Sequence, residues 1–378
     1  MIHRHPGFME LTFAVFILLL ILMTPASCQQ TAEDWFNSGN SLIAQGEYDK
    51  AIKAFDEAII KLDPNDPNLA ALWSNKGTAL AILGKYNESI EAFDEAIRID
   101  PSHTSAWNGK GLSLYSIGKY NESIAAFEEA IRLDPKYAMA WSNKGAALIG
   151  QGNYEDALNA LNEALSHNPN LAMAWNNKGL VLKNQGKYNE SIVAYDEAIR
   201  FDPSFVDAWN NKGNALKNQG KYNESIVAYD EAIRLDPKYT LAWNNKGAAL
   251  IDQGKYNESF EAFDEAIRLD PKYAMTWNNK GEALRRQGNY EEAIQTLDKA
   301  IELDPTFADA WSNKGGALND QGKYDEAIKA CDEAIRLDPN ISEAWYNKGI
   351  ALKALGRTAE ADAAFARAKE LEAAGPAP

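Results

Sequence analysis

Residues 206–239 read VDAWNNKGNALKNQGKYNESIVAYDEAIRLDPKY, and this stretch decides the fold because it recurs along the chain. Trp209, Gly213 and Leu216 follow one another at intervals of four and three residues, which places them on one side of a helix. The second half has its apolar and small residues at the same kind of spacing, at Tyr222, Ser225, Ile226, Tyr229, Ala232 and Ile233. These spacings predict two amphipathic helices.

Glycine and proline separate the two predicted helices from their neighbours. Gly220 follows the first helix, at the position where a residue with positive φ commonly ends a helix. Pro237 prevents the second helix from continuing and pushes Asp236 out of the α region. The stretch therefore predicts an antiparallel helix hairpin with a short turn.

The pattern returns with a period of 34 residues, after a first interval of 38. The tryptophans that mark it are Trp35, Trp73, Trp107, Trp141, Trp175, Trp209, Trp243, Trp277, Trp311 and Trp345. The predicted units are residues 32–65, 70–103, 104–137, 138–171, 172–205, 206–239, 240–273, 274–307, 308–341 and 342–375, followed by a short tail at 376–378. A single hairpin cannot bury its own apolar face, so neighbouring units must stack.

A glycine stands four residues after every tryptophan. A glycine in mid-helix costs about 1 kcal/mol relative to alanine, so its recurrence at one register needs a common cause. We expect a close approach of the two helices in each unit, with Gly213 facing the small residues Ser225 and Ala232.

The 34-residue pattern of Trp, Gly, Leu, Gly, Tyr, a small residue, an aromatic residue, Ala and Pro resembles the tetratricopeptide repeat. The resemblance covers about residues 32–375. It implies an all-α fold, a right-handed superhelical solenoid of antiparallel hairpins, with the first helices lining the concave surface. One departure is a lysine three residues after tryptophan in nine units, where the family has an apolar residue.

Residues 1–28 precede the repeats and have the layout of a secretory signal. Arg4 lies before an apolar stretch of thirteen residues, 11–23, in which only Thr12 is polar. Thirteen residues give a helix of about 20 Å, short of the ~30 Å hydrocarbon core, which favours a cleaved signal. An uncleaved membrane anchor is a second interpretation. Lipidation at Cys28 is a third, since residues 26–28 resemble the end of a lipoprotein signal. All three predict export of the remaining chain.

Each first helix has four positions opposite its core side, at two residues before and two, five and nine residues after tryptophan. Asparagine occupies the second of these in nine units. A column of amides can bind the N–H and C=O groups of an extended peptide, because an amide both donates and accepts. It resembles the asparagine ladder of O-linked N-acetylglucosamine transferases. The alternative is that each amide bonds the neighbouring helix or water, and that the asparagine recurs because the repeat was duplicated. The predicted binding residues are Asn143, Asn177, Asn211, Asn245, Asn279, Asn313, Met139, Met173, Met275 and Arg286.

Charged residues on the flanks of the helices have structural and functional interpretations. The lysine column is expected to pack its stems between hairpins and to reach carboxylates of the second helices. The alternative is a basic stripe that attracts acidic peptides. Asp230 with Arg234, and Asp264 with Arg268, are predicted to form i, i+4 pairs.

Six triplets match the acceptor pattern for N-glycosylation. The candidate residues are Asn87, Asn121, Asn189, Asn223, Asn257 and Asn340. In the first five the serine is expected to be a buried packing residue, so that the match is incidental or needs modification before folding. Asn340 lies in a turn.

The sequence contains no constellation for catalysis, no metal site and no cofactor motif. His103 and His167 lack companions at ligand spacing, and Cys331 takes the place of a core aromatic residue. A net charge of -16 argues against a nucleic-acid partner. The sequence therefore predicts a non-enzymatic scaffold for proteins or extended peptides. The alternative is a substrate-recruiting subunit of a glycosyltransferase or other surface-modifying system.

Overall fold

The computed structural model describes residues 30–374, so the predicted signal with Cys28 and the predicted tail at 376–378 lie outside the described residues. Within that range the chain forms twenty α-helices and no strand. They pair into hairpins 1 to 10: α1 (Ala32–Ala44) with α2 (Tyr48–Lys61), α3 (Leu69–Ile82) with α4 (Tyr86–Ile99), α5 (Thr104–Ser116) with α6 (Tyr120–Leu133), α7 (Ala138–Gly150) with α8 (Tyr154–His167), α9 (Ala172–Asn184) with α10 (Tyr188–Phe201), α11 (Val206–Asn218) with α12 (Tyr222–Leu235), α13 (Thr240–Asp252) with α14 (Tyr256–Leu269), α15 (Ala274–Gln287) with α16 (Tyr290–Leu303), α17 (Ala308–Asp320) with α18 (Tyr324–Leu337), and α19 (Ser342–Ala354) with α20 (Thr358–Ala374). The predicted all-α fold of antiparallel hairpins is confirmed.

The turn inside each hairpin depends on one glycine. Gly220 has a φ of 74°, in the left-handed region that other residues rarely adopt. The equivalent glycine of every hairpin has a φ between 74° and 94°. This confirms the prediction that Gly220 ends the first helix.

The described chain divides into two compact units. We call hairpins 1 to 4 the N-terminal array and hairpins 5 to 10 the C-terminal array. Inside each array, consecutive first helices touch one another, whereas consecutive second helices of the described chain do not. Each array therefore curves toward its first helices. We define the inner face as the positions two residues before and two, five and nine residues after each tryptophan.

In seven of the ten described hairpins the recurrent mid-helix glycine lies against an aromatic ring, and the expected contact was therefore only partly right. A Cβ at Gly213 would lie 2.5 Å from the ring of Tyr229, and one at Gly111 would lie 2.5 Å from Phe127. The ring, rather than Ala232, fills the space above the glycine. Ser225 is close as expected, since its hydroxyl donates to the carbonyl oxygen of Gly213 at 2.9 Å.

The repeat tryptophan links its hairpin to the preceding turn in hairpins 3, 4 and 6 to 10. The indole Nε1 of Trp243 donates to the carbonyl oxygen of Pro237 at 3.1 Å, which explains why the two residues recur together. The same bond, at 3.0 to 3.2 Å, is made by Trp107, Trp141, Trp209, Trp277, Trp311 and Trp345.

The lysine column is structural, as expected. Lys246 Nζ lies 2.7 Å from Asp230 Oδ1 of the preceding hairpin and 5.5 Å from the ring centroid of Trp243. Equivalent ion pairs are made by Lys76, Lys110, Lys144, Lys212, Lys280, Lys314 and Lys348. The predicted i, i+4 pairs are wrong for this reason. Arg234 bonds Glu231 and Arg268 bonds Glu265, at i, i+3, because the aspartates bond the lysines.

Candidate partner-binding face

The inner face carries several of the exposed large apolar side chains of the described chain. In the C-terminal array they stand two residues before tryptophan, at Met173, Leu241 and Met275, each about two-fifths exposed. In the N-terminal array Met139 is only partly exposed, and Ile82 and Leu112 are the exposed apolar residues of this face. The predicted methionine strip is therefore accessible in the C-terminal array, with Leu241 as a further member.

The asparagine column bonds the neighbouring hairpin. Asn245 Nδ2 donates to Oδ1 of Asn210 in the preceding hairpin at 3.0 Å. Asn210 directly follows a tryptophan and is buried, whereas Asn245 is partly exposed. The same bond joins Asn143 to Asn108, Asn211 to Asn176, Asn279 to Asn244 and Asn313 to Asn278, at 2.9 to 3.1 Å.

The amides of the C-terminal array form a continuous hydrogen-bonded chain. Within hairpins 7 and 8 the buried asparagine donates to its exposed neighbour, Asn244 to Asn245 at 3.3 Å and Asn278 to Asn279 at 3.4 Å. The chain thus runs from Asn210 through these amides to Asn313. Bonds linked in this way polarise one another, which fixes the orientation of each amide.

This geometry decides part of what the asparagines do. One N–H of each bonded amide donates to the preceding hairpin and so helps to hold the two hairpins together. This is the role expected if the asparagines bond a neighbouring helix. A primary amide has a second N–H, and the side chains of Asn211, Asn245, Asn279 and Asn313 remain partly exposed. Asn177 is partly exposed as well, while Asn143 is buried. The column is therefore an ordered row of amides with hydrogen-bonding capacity left.

A charged network crosses the inner face of hairpins 7 to 9. Arg285 bonds both carboxylate oxygens of Glu282, at 2.7 and 2.9 Å, and reaches Asp320 at 3.0 Å. Arg286 bonds Glu282 at 2.8 Å and lies 4.0 Å from Asp252. Arg286 was predicted to bind a partner, and the structure shows that its charge is already met by these carboxylates.

The pKa shifts in this network follow from its contacts. Burial alone raises the pKa of Glu282, but the hydrogen bonds and charges of Arg285 and Arg286 outweigh burial and lower it. The hydrogen bond from Glu282 raises the pKa of Arg285, against the effect of burial. The network is thus largely neutralised from within.

Two carboxylates of the inner face differ from those of the network. In the described chain, neither Asp309 nor Glu343 has a basic nitrogen within ion-pair distance. Burial and then the charge of Asp338 raise the pKa of Asp309. Burial and then the charge of Glu282 raise the pKa of Glu343. Glu343 was not predicted as a site residue, although its signal is visible in the sequence: it is an acidic residue two before tryptophan, where hairpins 7 and 8 have a leucine and a methionine.

The candidate glycosylation residues are exposed, but the serines of five triplets are buried as expected. Ser89, Ser123 and Ser225 each donate to a glycine carbonyl oxygen of the first helix. Asn223 accepts a hydrogen bond from Gln253 of the next hairpin at 2.7 Å. Asn340 lies in an exposed turn. Glycosylation stays a prediction.

Cys331 is a buried core residue, as expected from its place in the repeat. Its Sγ fills the space above Gly315 that an aromatic ring or a leucine occupies in the other hairpins, and burial raises the pKa of its thiol to about 12. Among residues 30–374, no set of three or more His, Cys, Asp and Glu side chains is arranged to hold a metal ion. In the same part of the chain, no helix has both the length and the apolar character needed to cross a bilayer.

The fold is that of an all-helical repeat protein built from stacked hairpins. The tetratricopeptide repeat model matches residues 36–104, 74–138, 108–165, 278–341 and 320–378. Further models of the same repeat match residues 145–186, 179–220, 206–239 and 238–305. The chain belongs to the tetratricopeptide repeat family. No curated protein sequence matches it.

Solved structures share the fold at low sequence identity. A tetratricopeptide repeat protein from Parabacteroides merdae is similar to 66% of this chain over 98% of its own, with 16% identity and a TM-score of 0.55. The APC/C hetero-tetramer Cut9-Hcn1 matches at 17% identity over 90% of this chain and 73% of that one, with a TM-score of 0.56. Human IFIT1, solved as a dimer with PPP-AAAA, matches at 17% identity over 90% and 83%, with a TM-score of 0.56. At these identities the likeness shows the fold alone.

Proposed function

We propose that this chain is a non-catalytic scaffold that holds an extended segment of a partner protein along the inner face. Tetratricopeptide repeats are typical protein-interaction modules. The observation that carries the proposal is the ordered row of partly exposed amides at Asn211, Asn245, Asn279 and Asn313. Amides held in one orientation bind a peptide backbone without first losing side-chain entropy. A net charge of -16 supports a protein partner over a nucleic acid.

The test uses two triple variants that break the same inter-hairpin bonds. Asn211→Ala, Asn245→Ala and Asn279→Ala together remove the exposed amides. Asn176→Ala, Asn210→Ala and Asn244→Ala remove their buried partners and leave the exposed amides in place. Peptides selected from a random display library on the full chain serve as probes.

We expect the first triple variant to lose affinity for the selected peptides at least several-fold more than the second. Equal losses in both would show that the amides act only through stacking. Identical affinity in wild type and both variants would place the peptide elsewhere. If affinity capture returns one stable enzyme rather than peptides, the chain is instead a recruiting subunit, such as that of a glycosyltransferase system.

We also propose that the chain is exported, on the signal-like pattern of residues 1–28. Sequencing the mature N-terminus tests this. Cleavage before or at Cys28 would indicate a removed signal, whereas an intact Met1 on a membrane-bound protein would indicate an uncleaved anchor. A lipid on Cys28 would be seen as added mass. An intact N-terminus on a protein recovered from the cytosol would contradict export.

A further inference from the structure

The position two residues before tryptophan changes character along the C-terminal array. In hairpins 7 and 8 it holds the exposed apolar residues Leu241 and Met275. In hairpins 9 and 10 it holds the carboxylates Asp309 and Glu343. Because consecutive first helices touch one another, this row presents one such side chain per hairpin. Over hairpins 7 to 10 the row is therefore apolar at one end and acidic at the other.

The carboxylates at the acidic end are exposed, and in the described chain no basic side chain lies within ion-pair distance of either one. Arg285 and Arg286 are bound by Glu282, Asp320 and Asp252. Asp207, which occupies the same row in hairpin 6, accepts a hydrogen bond from the hydroxyl of Tyr239 at 2.5 Å. The position equivalent to Tyr239 in the hairpin after Asp309 is Ile341, which has no polar group to offer.

The pKa shifts agree with this geometry. Burial and like charges raise the pKa of both Asp309 and Glu343, and the charges of Arg285 and Arg286 offset only part of the shift of Glu343. A cation placed beside them would gain from two exposed carboxylates that form no ion pair with another residue of the described chain.

We propose that the inner face of hairpins 7 to 10 binds an extended segment that carries large apolar residues followed, or preceded, by lysine or arginine. The inference rests on the proposed function and names the chemistry of the partner. Leu241 and Met275 receive the apolar side chains, and Asp309 and Glu343 receive the basic ones. Charge complementarity selects this occupant over an acidic segment.

The spacing of the row defines the spacing of the ligand. Packed helices lie about 8–10 Å apart, and a polyproline-type chain advances about 3.1 Å per residue with three residues per turn. Every third residue of the ligand therefore faces the next hairpin. A segment of about twelve residues is sufficient to span the four hairpins.

The probe is a labelled peptide of about twelve residues, with leucine at every third position in one half and lysine at every third position in the other. It is made in both chain directions, and a second pair of peptides has glutamate in place of lysine. The protein variant is D309N/E343Q in the full chain. The matched control is D325N/E326Q, which removes the same charge from exposed positions of the second helix of hairpin 9.

We expect the lysine peptide, in one direction, to bind wild type and the control equally and D309N/E343Q about tenfold more weakly. The glutamate peptides are expected not to bind. Equal affinity for wild type and D309N/E343Q overturns the inference, as does an equal loss in the control, which would reflect net charge alone. If library-selected peptides bind through the asparagines but lack basic residues, this inference fails while the proposed function stands. If no peptide of any composition binds, both fail.

Discussion

The inner face of the N-terminal array has one charged side chain, Glu33, whereas that of the C-terminal array has seven. These seven are Asp207, Asp252, Glu282, Arg286, Asp309, Asp320 and Glu343. Beneath them the packing is the same in both arrays: Ser123 bonds Gly111 at 2.7 Å, and Ser225 bonds Gly213 at 2.9 Å. The packing contacts of the hairpins are therefore the same in both arrays, whereas the side chains of the inner face vary. Residues that differ between the arrays are the ones that can encode a partner.

The largest effect on stability is expected from replacing a repeat tryptophan, and it should be of similar size in the two arrays. Trp107→Ala and Trp243→Ala each remove a large side chain and the indole bond to a proline carbonyl oxygen. Each should lower the free energy of unfolding by about 3–5 kcal/mol. Denaturant unfolding measures the loss, and hydrogen exchange should place it in the mutated hairpin and its neighbours. A loss of unfolding free energy in only one of the two variants would contradict the claim that both arrays are packed in the same way.

The asparagine bonds come next. Asn143→Ala and Asn245→Ala leave the buried oxygens of Asn108 and Asn210 without a donor, which should cost about 1–3 kcal/mol in either array. The reverse change, Asn210→Ala, leaves the partly exposed Asn245 without its acceptor. Because water can reach the N–H of Asn245, this variant should lose less stability. Thermal and denaturant unfolding of the single variants compare them. If Asn210→Ala costs more than Asn245→Ala, the assigned donor and acceptor roles are wrong.

The lysine column should have a smaller effect, again equal in the two arrays. Lys110→Met and Lys246→Met keep most of the stem and remove an ion pair whose carboxylate is about half exposed. Exposed pairs contribute up to about 1 kcal/mol. Double-mutant cycles with Asp94→Asn and Asp230→Asn isolate the coupling energy. A coupling near zero in both cycles would leave only the packing of the stem as its structural role.

The smallest effect on stability is expected from replacing Asp309 and Glu343 at the acidic end of the C-terminal array. Unlike the changes above, this one should not destabilise the protein. The folded-state pKa of Asp309 and of Glu343 is raised, so ionisation at neutral pH disfavours the folded state. D309N/E343Q should therefore be as stable as wild type or more stable, by at most about 0.5 kcal/mol. The difference should shrink as pH falls through the raised pKa values. A clear loss of stability would assign these residues a structural role instead.

The period of the sequence was sufficient to predict the fold. Unit boundaries at 104, 138 and 206 coincide with the first residues of α5 (Thr104–Ser116), α7 (Ala138–Gly150) and α11 (Val206–Asn218). Gly220 was correctly placed at a left-handed turn because only glycine adopts that conformation without strain. Local rules of this kind depend on residues near one another in sequence.

Contacts between helices were harder to predict. Gly213 was expected to face Ser225 and Ala232, but the ring of Tyr229 covers it, because the rotation of one helix against the other depends on packing. The bond from Asn245 to Asn210 joins residues 35 apart in different hairpins, and no local pattern indicates it. Arg286 was chosen for its exposure on a helical wheel, and its i, i+4 pair with Glu282 in the same helix was a local signal that was overlooked.

Photo-crosslinking tests the central claim most directly. The lysine peptide is made with a photoreactive residue at one leucine position and is mixed with the full chain, and the adducts are mapped by mass spectrometry. The account predicts adducts on the inner face at Leu241 or Met275, lost in competition with unlabelled lysine peptide. Adducts at Val193 and Val227, which are 61% and 67% exposed on second helices, would contradict it.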